Sequence, residues 1–258
     1  MPYKVILTDL DETLFTPDKK ITPYTKDILK ECQKQGILVG FATSRGINDI
    51  QGAVREIKPD VVISSGGAYV ECCGKVIYES GFRAEEIRNM IAKARALCGE
   101  EIEITVDTRH TLYWNSKESI RKFYNGSGSA TYTDYADYDE KAFKISVMTY
   151  DEAIAKQIAE CVEGCTTMKF SDIPWYTFSK SKAMKESGVE KLAEHLQIGY
   201  DEFIAFGDDY SDIGMLKICG TGVAMENAIA PAKEAADVVT LSNKEDGVAG
   251  YLKEHVLK

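Results

Sequence analysis

The chain has 258 residues, 44% of them apolar and 28% charged, with only 6 Pro and 20 Gly. That apolar content excludes disorder and low complexity, and the length suits one large domain or two smaller ones. Acidic residues outnumber basic ones 41 to 31, a formal net charge of -10, which argues against nucleic acid or anionic membrane as the main partner. An anionic small substrate stays open, because a local cluster or a metal overrides the mean field. The seven cysteines form no CxxC pair and are expected as free thiols in a reducing compartment. No run approaches the roughly 18 apolar residues of a membrane span or the apolar core of a secretory signal, so a soluble, cytoplasmic protein is expected.

In chain order, Tyr3 to Thr8 is a short apolar run that reads as a buried strand. Thr22-Pro23 then opens a helix, a cap followed by proline at the first helical position, with Ile28, Leu29 and Cys32 on one face and Gly36 past its end. Ile37 to Ala42 is a second strand. A second helix carries Ile47, Ile50, Val54 and Ile57 and stops before Pro59, and Val61 to Ser64 is a third strand. Strand, helix, strand, helix, strand predicts a doubly wound parallel sheet, Rossmann-like, with ligands at the carboxyl ends of its strands.

From about Ala84 the rhythm changes. A helix with Ile87, Met90, Ile91, Ala94 and Leu97 leads into a hairpin of Glu101 to Val106 and Thr111 to Trp114. Phe143 to Tyr150, a helix from Asp151, Thr166 to Ser171 and Trp175 to Phe178 make a second round. This predicts an α+β module, 84–184, inserted into an α/β core made of 1–83 and 185–258. The insert holds 13 of the 25 aromatic residues in 101 positions, as a small module filling its core with large side chains would; alternatively Tyr113, Trp114, Trp175 or Tyr176 lines a substrate surface. The α/β rhythm then returns: a helix with Val189, Leu192, Ala193 and Leu196, the strand Phe203 to Phe206, a helix from Ile213 to Ile218, and strands at Gly222 to Ala224 and Val238 to Leu241.

Chemistry collects at the predicted strand ends. Asp9 and Asp11 follow the first strand, so two carboxylates separated by one residue face one crevice, an arrangement that calls for a cation between them. Oxygen-only ligands suit magnesium. Thr43, Ser44 and Arg45 follow the second strand, where a hydroxyl and backbone amides can hold an anionic oxygen. Gly207-Asp208-Asp209-Tyr210-Ser211-Asp212 follows the Phe203 strand and adds three more acids. Lys180, Lys182 and Lys185 precede the Val189 helix, and Lys185, one turn ahead of Val189, is placed to reach the crevice. Tyr210 is expected to face outward.

The set Asp9-x-Asp11-x-Thr13, Thr43, Lys185 and Gly207-Asp208-Asp209-x-Ser211-Asp212 resembles the four motifs of the haloacid dehalogenase superfamily. With a long insert between the second and third motifs, the whole chain is similar to its Cof-like phosphatases, whose α+β cap is of type IIB. The tracts Val223 to Ala228 and Glu245 to Val248 fit as well. The resemblance implies Asp9 as nucleophile, forming an aspartyl-phosphate, and Asp11 as general acid and then general base. It implies Thr43, Ser44 and Lys185 on the phosphoryl oxygens, and Mg2+ held by Asp9, Asp208 and the backbone carbonyl of Asp11. Asp212, Ser211 and Asn227 would support the site, Asp212 through metal waters or Lys185. Arg45 would either orient the phosphate or tie its loop to a neighbouring acid. Ser44, Asp209, Ser211 and Ser65 depart from the usual Gly, Gly, Asn and Asn, with Ser211 expected to change rate or metal affinity without abolishing chemistry.

Asp11 favours ester hydrolysis, since dehalogenases generally lack that acid and ion-pumping ATPases carry Lys there. The expected function is hydrolysis of a small phosphorylated metabolite, such as a sugar phosphate or phosphorylated cofactor. A phosphotransferase or mutase of the same fold is the alternative. A phosphate-sensing regulator with little turnover fits less well, because receiver-like domains need only about half this length and no lid.

Overall fold

The first strand, β1 (Val5–Thr8), is buried at every position, the pattern of a strand covered on both faces. It opens a computed structural model that describes residues 3–124, 130–169, 173–181 and 183–257. The helix α1 (Pro23–Lys34) starts as its sequence predicts. The Thr22 hydroxyl accepts from the Thr25 N–H, and Pro23 presets φ at the first helical position. The strand β2 (Leu38–Ala42), the helix α2 (Gln51–Ile57) and the strand β3 (Val61–Ser64) follow. The helix α2 begins at Gln51, whereas the apolar spacing placed Ile47 and Ile50 within it. Residues 47–50 form a turn instead, with the Asp49 N–H on the Gly46 carbonyl.

A hairpin comes next that the sequence reading did not foresee, β4 (Tyr69–Cys72) and β5 (Lys75–Glu79). Its loop is Cys73-Gly74, both at positive φ (49° and 76°), as tight two-residue hairpin loops require. Asn or Asp normally fills the first of these positions, so cysteine there concealed the turn. The order continues α3 (Ala84–Cys98), β6 (Ile104–Asp107), β7 (Leu112–Trp114), α4 (Lys117–Tyr124), β8 (Ala130–Tyr132), β9 (Lys144–Met148), α5 (Glu152–Ala159), β10 (Cys165–Lys169) and β11 (Trp175–Lys180). Then come α6 (Lys185–Leu196), β12 (Phe203–Gly207), α7 (Ile213–Ile218), β13 (Thr221–Ala224), α8 (Ala230–Ala235), β14 (Val238–Val239) and α9 (Gly247–His255). Phe170 and Ser171, expected at the end of a strand, and Lys182 lie outside the described residues.

Two sheets result. The larger has the order β14-β13-β12-β1-β2-β3-β4-β5. It is parallel from β14 to β3 and antiparallel across the hairpin. β1 lies between β2 and β12, so the chain reverses its winding there, and the carboxyl ends of these strands flank the crevice where such sheets bind ligands. The smaller sheet, β10-β11-β9-β6-β7-β8, is antiparallel except between β7 and β8.

The chain divides into two compact units, one of Met1–Arg45, Ile50–Glu79 and Met184–Lys258, the other of Gly46–Asp49 and Ser80–Ala183. In the second unit, Ile87, Met90 and Ile91 of α3 and Ile158 of α5 pack with Ile104, Val106, Ile145, Val147 and Phe178 of the sheet. Tyr176 is buried in that core and Tyr113 packs against it. Trp114 is buried too, with the Trp175 ring edge-on at 5.8 Å.

Candidate active site

The ends of β1, β2 and β12 deliver Asp9, Thr43 and Asp208. Asp9 leaves β1 with its N–H on the Phe206 carbonyl of β12 at 3.0 Å, which aligns the two strand ends. Gly207 ends β12, and a Cβ there would fall 2.5 Å from Asp212 Cβ, so glycine is what lets the Asp208–Asp212 loop fold back over the strand. Asp212 Oδ2 accepts from the N–H groups of Asp208 and Asp209 at 3.0 Å each. Its Oδ1 accepts from Lys185 Nζ at 2.6 Å. Lys185 is the first residue of α6 and only 2% exposed, and its ammonium also donates to Asp9 Oδ1 at 2.6 Å. The Thr13 hydroxyl donates to Asp208 Oδ1 at 2.6 Å.

Carboxylate oxygens of Asp9, Asp208 and Asp212 all lie within 4.8 Å of one another. Burial is the main influence on the protons of Asp9 and Asp208. It pushes the Asp9 carboxyl up to about 7, with Lys185 opposing and Asp212 and Asp208 adding. It pushes Asp208 up to about 6, with the Thr13 hydrogen bond opposing and the neighbouring acids adding. Burial alone would lower the Lys185 pKa, but its two carboxylate partners outweigh that and raise it. Three carboxylates and one ammonium leave two negative charges, the charge of one divalent cation. The donors are all oxygen, which suits Mg2+ and disfavours softer metals. The site therefore fits a divalent cation, and Asp9, Asp208 and Asp212 are the acids that could hold it.

The Asp11 carboxylate does not join this cluster. Arg45 grips it with two donors, Nε to Oδ2 at 2.6 Å and Nη2 to Oδ1 at 2.7 Å. Lys19 Nζ stands 3.1 Å from Oδ1. Partial burial works to raise the Asp11 pKa, but Arg45 and Lys19 hold it below the usual carboxylate range. Of the two readings of Arg45, this geometry has the guanidinium on an acid. Between Asp11 and Phe15 the backbone makes a wide turn, with Glu12 in the left-handed region (φ 58°) and the Phe15 N–H on the Leu10 carbonyl.

Thr43 is buried, and its Oγ1 accepts from the Arg45 N–H at 3.1 Å. The loop is laced to the end of β3: Thr43 N–H to the Ile63 carbonyl, Gly66 N–H to the Thr43 carbonyl, Ser65 N–H to the Arg45 carbonyl. The hydroxyls of Ser64 and Ser65 are buried and lack a hydrogen-bond partner among the described residues.

The sequence profile of the haloacid dehalogenase-like hydrolases matches residues 6–252. The chain belongs to that family. Its order of motifs and long insert give it the Cof-like organisation. The chain is 29% identical over 264 residues to YkrA of Bacillus subtilis, covering 98% of each sequence. It is 26% identical over 260 residues to YcsE of the same organism, named 5-amino-6-(5-phospho-D-ribitylamino)uracil phosphatase, covering 98% of this chain and 96% of that one. Among solved structures it is similar to a haloacid dehalogenase-like hydrolase from Bacteroides thetaiotaomicron, with 25% identity, a TM-score of 0.85, and 97% and 98% of the two chains covered.

In this haloacid dehalogenase-like hydrolase two of the other expected site residues flank the groups above, Ser44 beside Thr43 and Ser211 beside Asp212. Ser44 and Ser211 are exposed, and Tyr210 is 69% exposed. The Asn227 side chain joins two loops: its Nδ2 donates to the Glu12 carbonyl at 2.7 Å and its Oδ1 accepts from the Asn243 N–H. Sequence reasoning missed Lys19, which bridges Asp11 and Glu12, and Asn243, which donates to the Phe15 carbonyl at 2.8 Å. Neither carries a local signal, since a surface-type Lys and a loop Asn acquire these partners only through folding. No helix among the described residues is long and apolar enough to cross a membrane.

Proposed function

We propose that this hydrolase is a magnesium-dependent phosphatase that cleaves the monoester of a small phosphorylated metabolite, a sugar phosphate or a phosphorylated cofactor, through an aspartyl-phosphate on Asp9. The observation that carries the reading is the Asp9 carboxylate, buried beside Asp208 and Asp212 and held through one oxygen by Lys185. Lys185 fixes Oδ1, which leaves Oδ2 to attack phosphorus. The P–O bond to the leaving group breaks, Asp11 protonates the departing alkoxide, and the product alcohol is released. Asp11 then takes a proton from water as the water oxygen attacks the aspartyl-phosphate, returning Asp9 as carboxylate and freeing inorganic phosphate. Thr43, Ser44 and Lys185 hold the phosphoryl oxygens, while a bound divalent cation supplies electrostatic stabilisation of the charge spread over them. Asp9, Asp208 and the Asp11 backbone carbonyl are its proposed protein ligands. Asp11 must leave Arg45 to serve as acid, and a phosphoryl group arriving near Arg45 offers that guanidinium another anion. Residues 1–83 and 185–258 form the catalytic core in this reading, and 84–184 the cap that selects the leaving group.

A panel of phosphate monoesters, including the ribitylaminouracil phosphate in the name of YcsE, is to be assayed with and without Mg2+ beside Asp9→Asn. Metal-dependent phosphate release that disappears in Asp9→Asn is the expected result, and parent-level turnover by that variant removes the assignment. Phosphate passing to an added sugar acceptor rather than to water would mark a transferase instead.

A further inference from the structure

The turn Gly46–Asp49 follows Arg45 directly in the chain, yet its contacts place it in the second unit. There it meets the end of β6. Asn48 Nδ2 donates to the Thr108 carbonyl at 2.9 Å, and the Asn48 side chain also hydrogen-bonds the Asp107 carboxylate. Gly46 approaches that carboxylate so closely that an added Cβ would fall 1.9 Å from Asp107 Oδ2. Asp107 is 5% exposed, with Lys144 Nζ 3.7 Å from its Oδ2. The carboxylate sits on a fixed strand end: the Asp107 carbonyl accepts from the Phe143 N–H, and the Thr108 hydroxyl closes the following turn on the Thr111 carbonyl.

A buried carboxylate is costly wherever an apolar or neutral side chain of similar size would fill the same space. The proposed chemistry makes no use of Asp107, so the acid calls for another reason. What it does have is a turn seated on it, and that turn begins at the peptide bond after Arg45. The Arg45 N–H is the donor that orients the Thr43 hydroxyl, and the Arg45 carbonyl accepts from the Ser65 N–H. We infer that Asp107 is a positioning residue for the phosphate-holding loop: its carboxylate seats the Gly46–Asp49 turn, and through that turn it fixes the Arg45 backbone that aims Thr43. The inference rests on the reading above, in which Thr43 holds a phosphoryl oxygen.

The test compares the parent with Gly46→Ala, Asp107→Ser and the double variant. KM and kcat are measured for p-nitrophenyl phosphate, with the inhibition constant of inorganic phosphate and with Asp9→Asn as control. Each single variant is expected to raise KM and the phosphate inhibition constant together by about tenfold, the worth of one well-made hydrogen bond, while kcat changes little, as loss of uniform binding requires. The double variant is expected to fall short of the product of the two singles, because serine makes room for the added methyl group. Asp107→Ser with KM and phosphate inhibition like the parent's overturns the proposal, and so does a loss confined to kcat. Asp107→Ser inserts no bulk, so it decides the matter even if Gly46→Ala does not fold. Parent-level turnover by Asp9→Asn would instead strike the aspartyl-phosphate reading, and the phosphate inhibition constants would still report on Asp107.

Discussion

Lys185 lies between two carboxylates at 2.6 Å each, at a position almost closed to solvent. Taking its charge away leaves Asp9 and Asp212 buried and facing one another. Lys185→Met is therefore expected to lower unfolding stability by about 3–5 kcal/mol, the range for breaking a buried ion pair on one side. A urea midpoint moving down with an unchanged slope is the measurement, and an unmoved midpoint would contradict the electrostatic account. Asp9→Asn is a milder change structurally, because Lys185 keeps Asp212, but it removes the nucleophile. Phosphate release should fall by at least about 10^3-fold while the circular dichroism spectrum stays that of the parent. Asp107 gives the pH-dependent case. Burial raises its carboxyl to about 6, with Lys144 opposing and Asp49 adding. The folded state thus keeps its proton to higher pH than the unfolded state, whose value is near the ordinary 3.8 of an aspartate. Stability is lost as pH rises from about 4 to about 6, and the loss is complete above that. Asp107→Asn should gain on the parent by on the order of 2 kcal/mol between pH 4 and pH 7. Denaturation curves of both proteins at the two pH values check the sign.

At the scale of elements, α1 ties the end of its own capping turn to a distant loop. The Thr22 hydroxyl accepts from Thr25 N–H at 3.1 Å and donates to Asp246 Oδ1 at 2.6 Å, just before α9. Asp246 is left-handed (φ 55°), and the Thr25 hydroxyl donates to the same oxygen at 2.8 Å. Thr22→Ala removes both the cap and one of those bonds. A loss of about 1–2 kcal/mol is expected, and calorimetry should place the melting temperature a few degrees lower. Elements with strong apolar patterning were legible in the sequence: α1 from its cap and proline, α3 from Ile87, Met90, Ile91 and Ala94, and β12 from the apolar run Phe203 to Phe206. The start of α2 was not, because Ile47 and Ile50 keep helical spacing while Gly46–Asp49 answers to contacts with the second unit. Periodicity reports which side chains seek burial, and it does not say against which neighbour.

For the whole molecule the decisive quantity is the charge left over in the crevice after Lys185 has been counted. A divalent cation that balances it should stabilise the folded state by mass action, about 2.7 kcal/mol at a hundredfold excess over its dissociation constant. Melting curves with added Mg2+ should shift upward in the parent and not in Asp208→Asn, and a chelator should reverse the shift. Equal shifts in both proteins would place the ion elsewhere. The net charge of -10 on the chain adds to the attraction for a cation and opposes an anionic substrate. The local cations Lys185, Arg45 and Lys19 are thus what an incoming phosphate would meet.

The sequence by itself determined the strand ends and what stands on them. A short apolar run that stops at an acid, a hydroxyl or a Gly-Asp pair places that group at the edge of a parallel sheet, and the sheet's winding brings β1, β2 and β12 together whatever the detailed packing. Asp9, Thr43 and Asp208 were legible for that reason. Only the tertiary structure decided that Asp11 is held by Arg45 and Lys19, that Asp212 shares Lys185 with Asp9, and that Asp107 is buried beneath Gly46. These are contacts between side chains far apart in the chain, settled by how close two backbones come, and a one-dimensional pattern of apolar and polar residues carries no record of that distance.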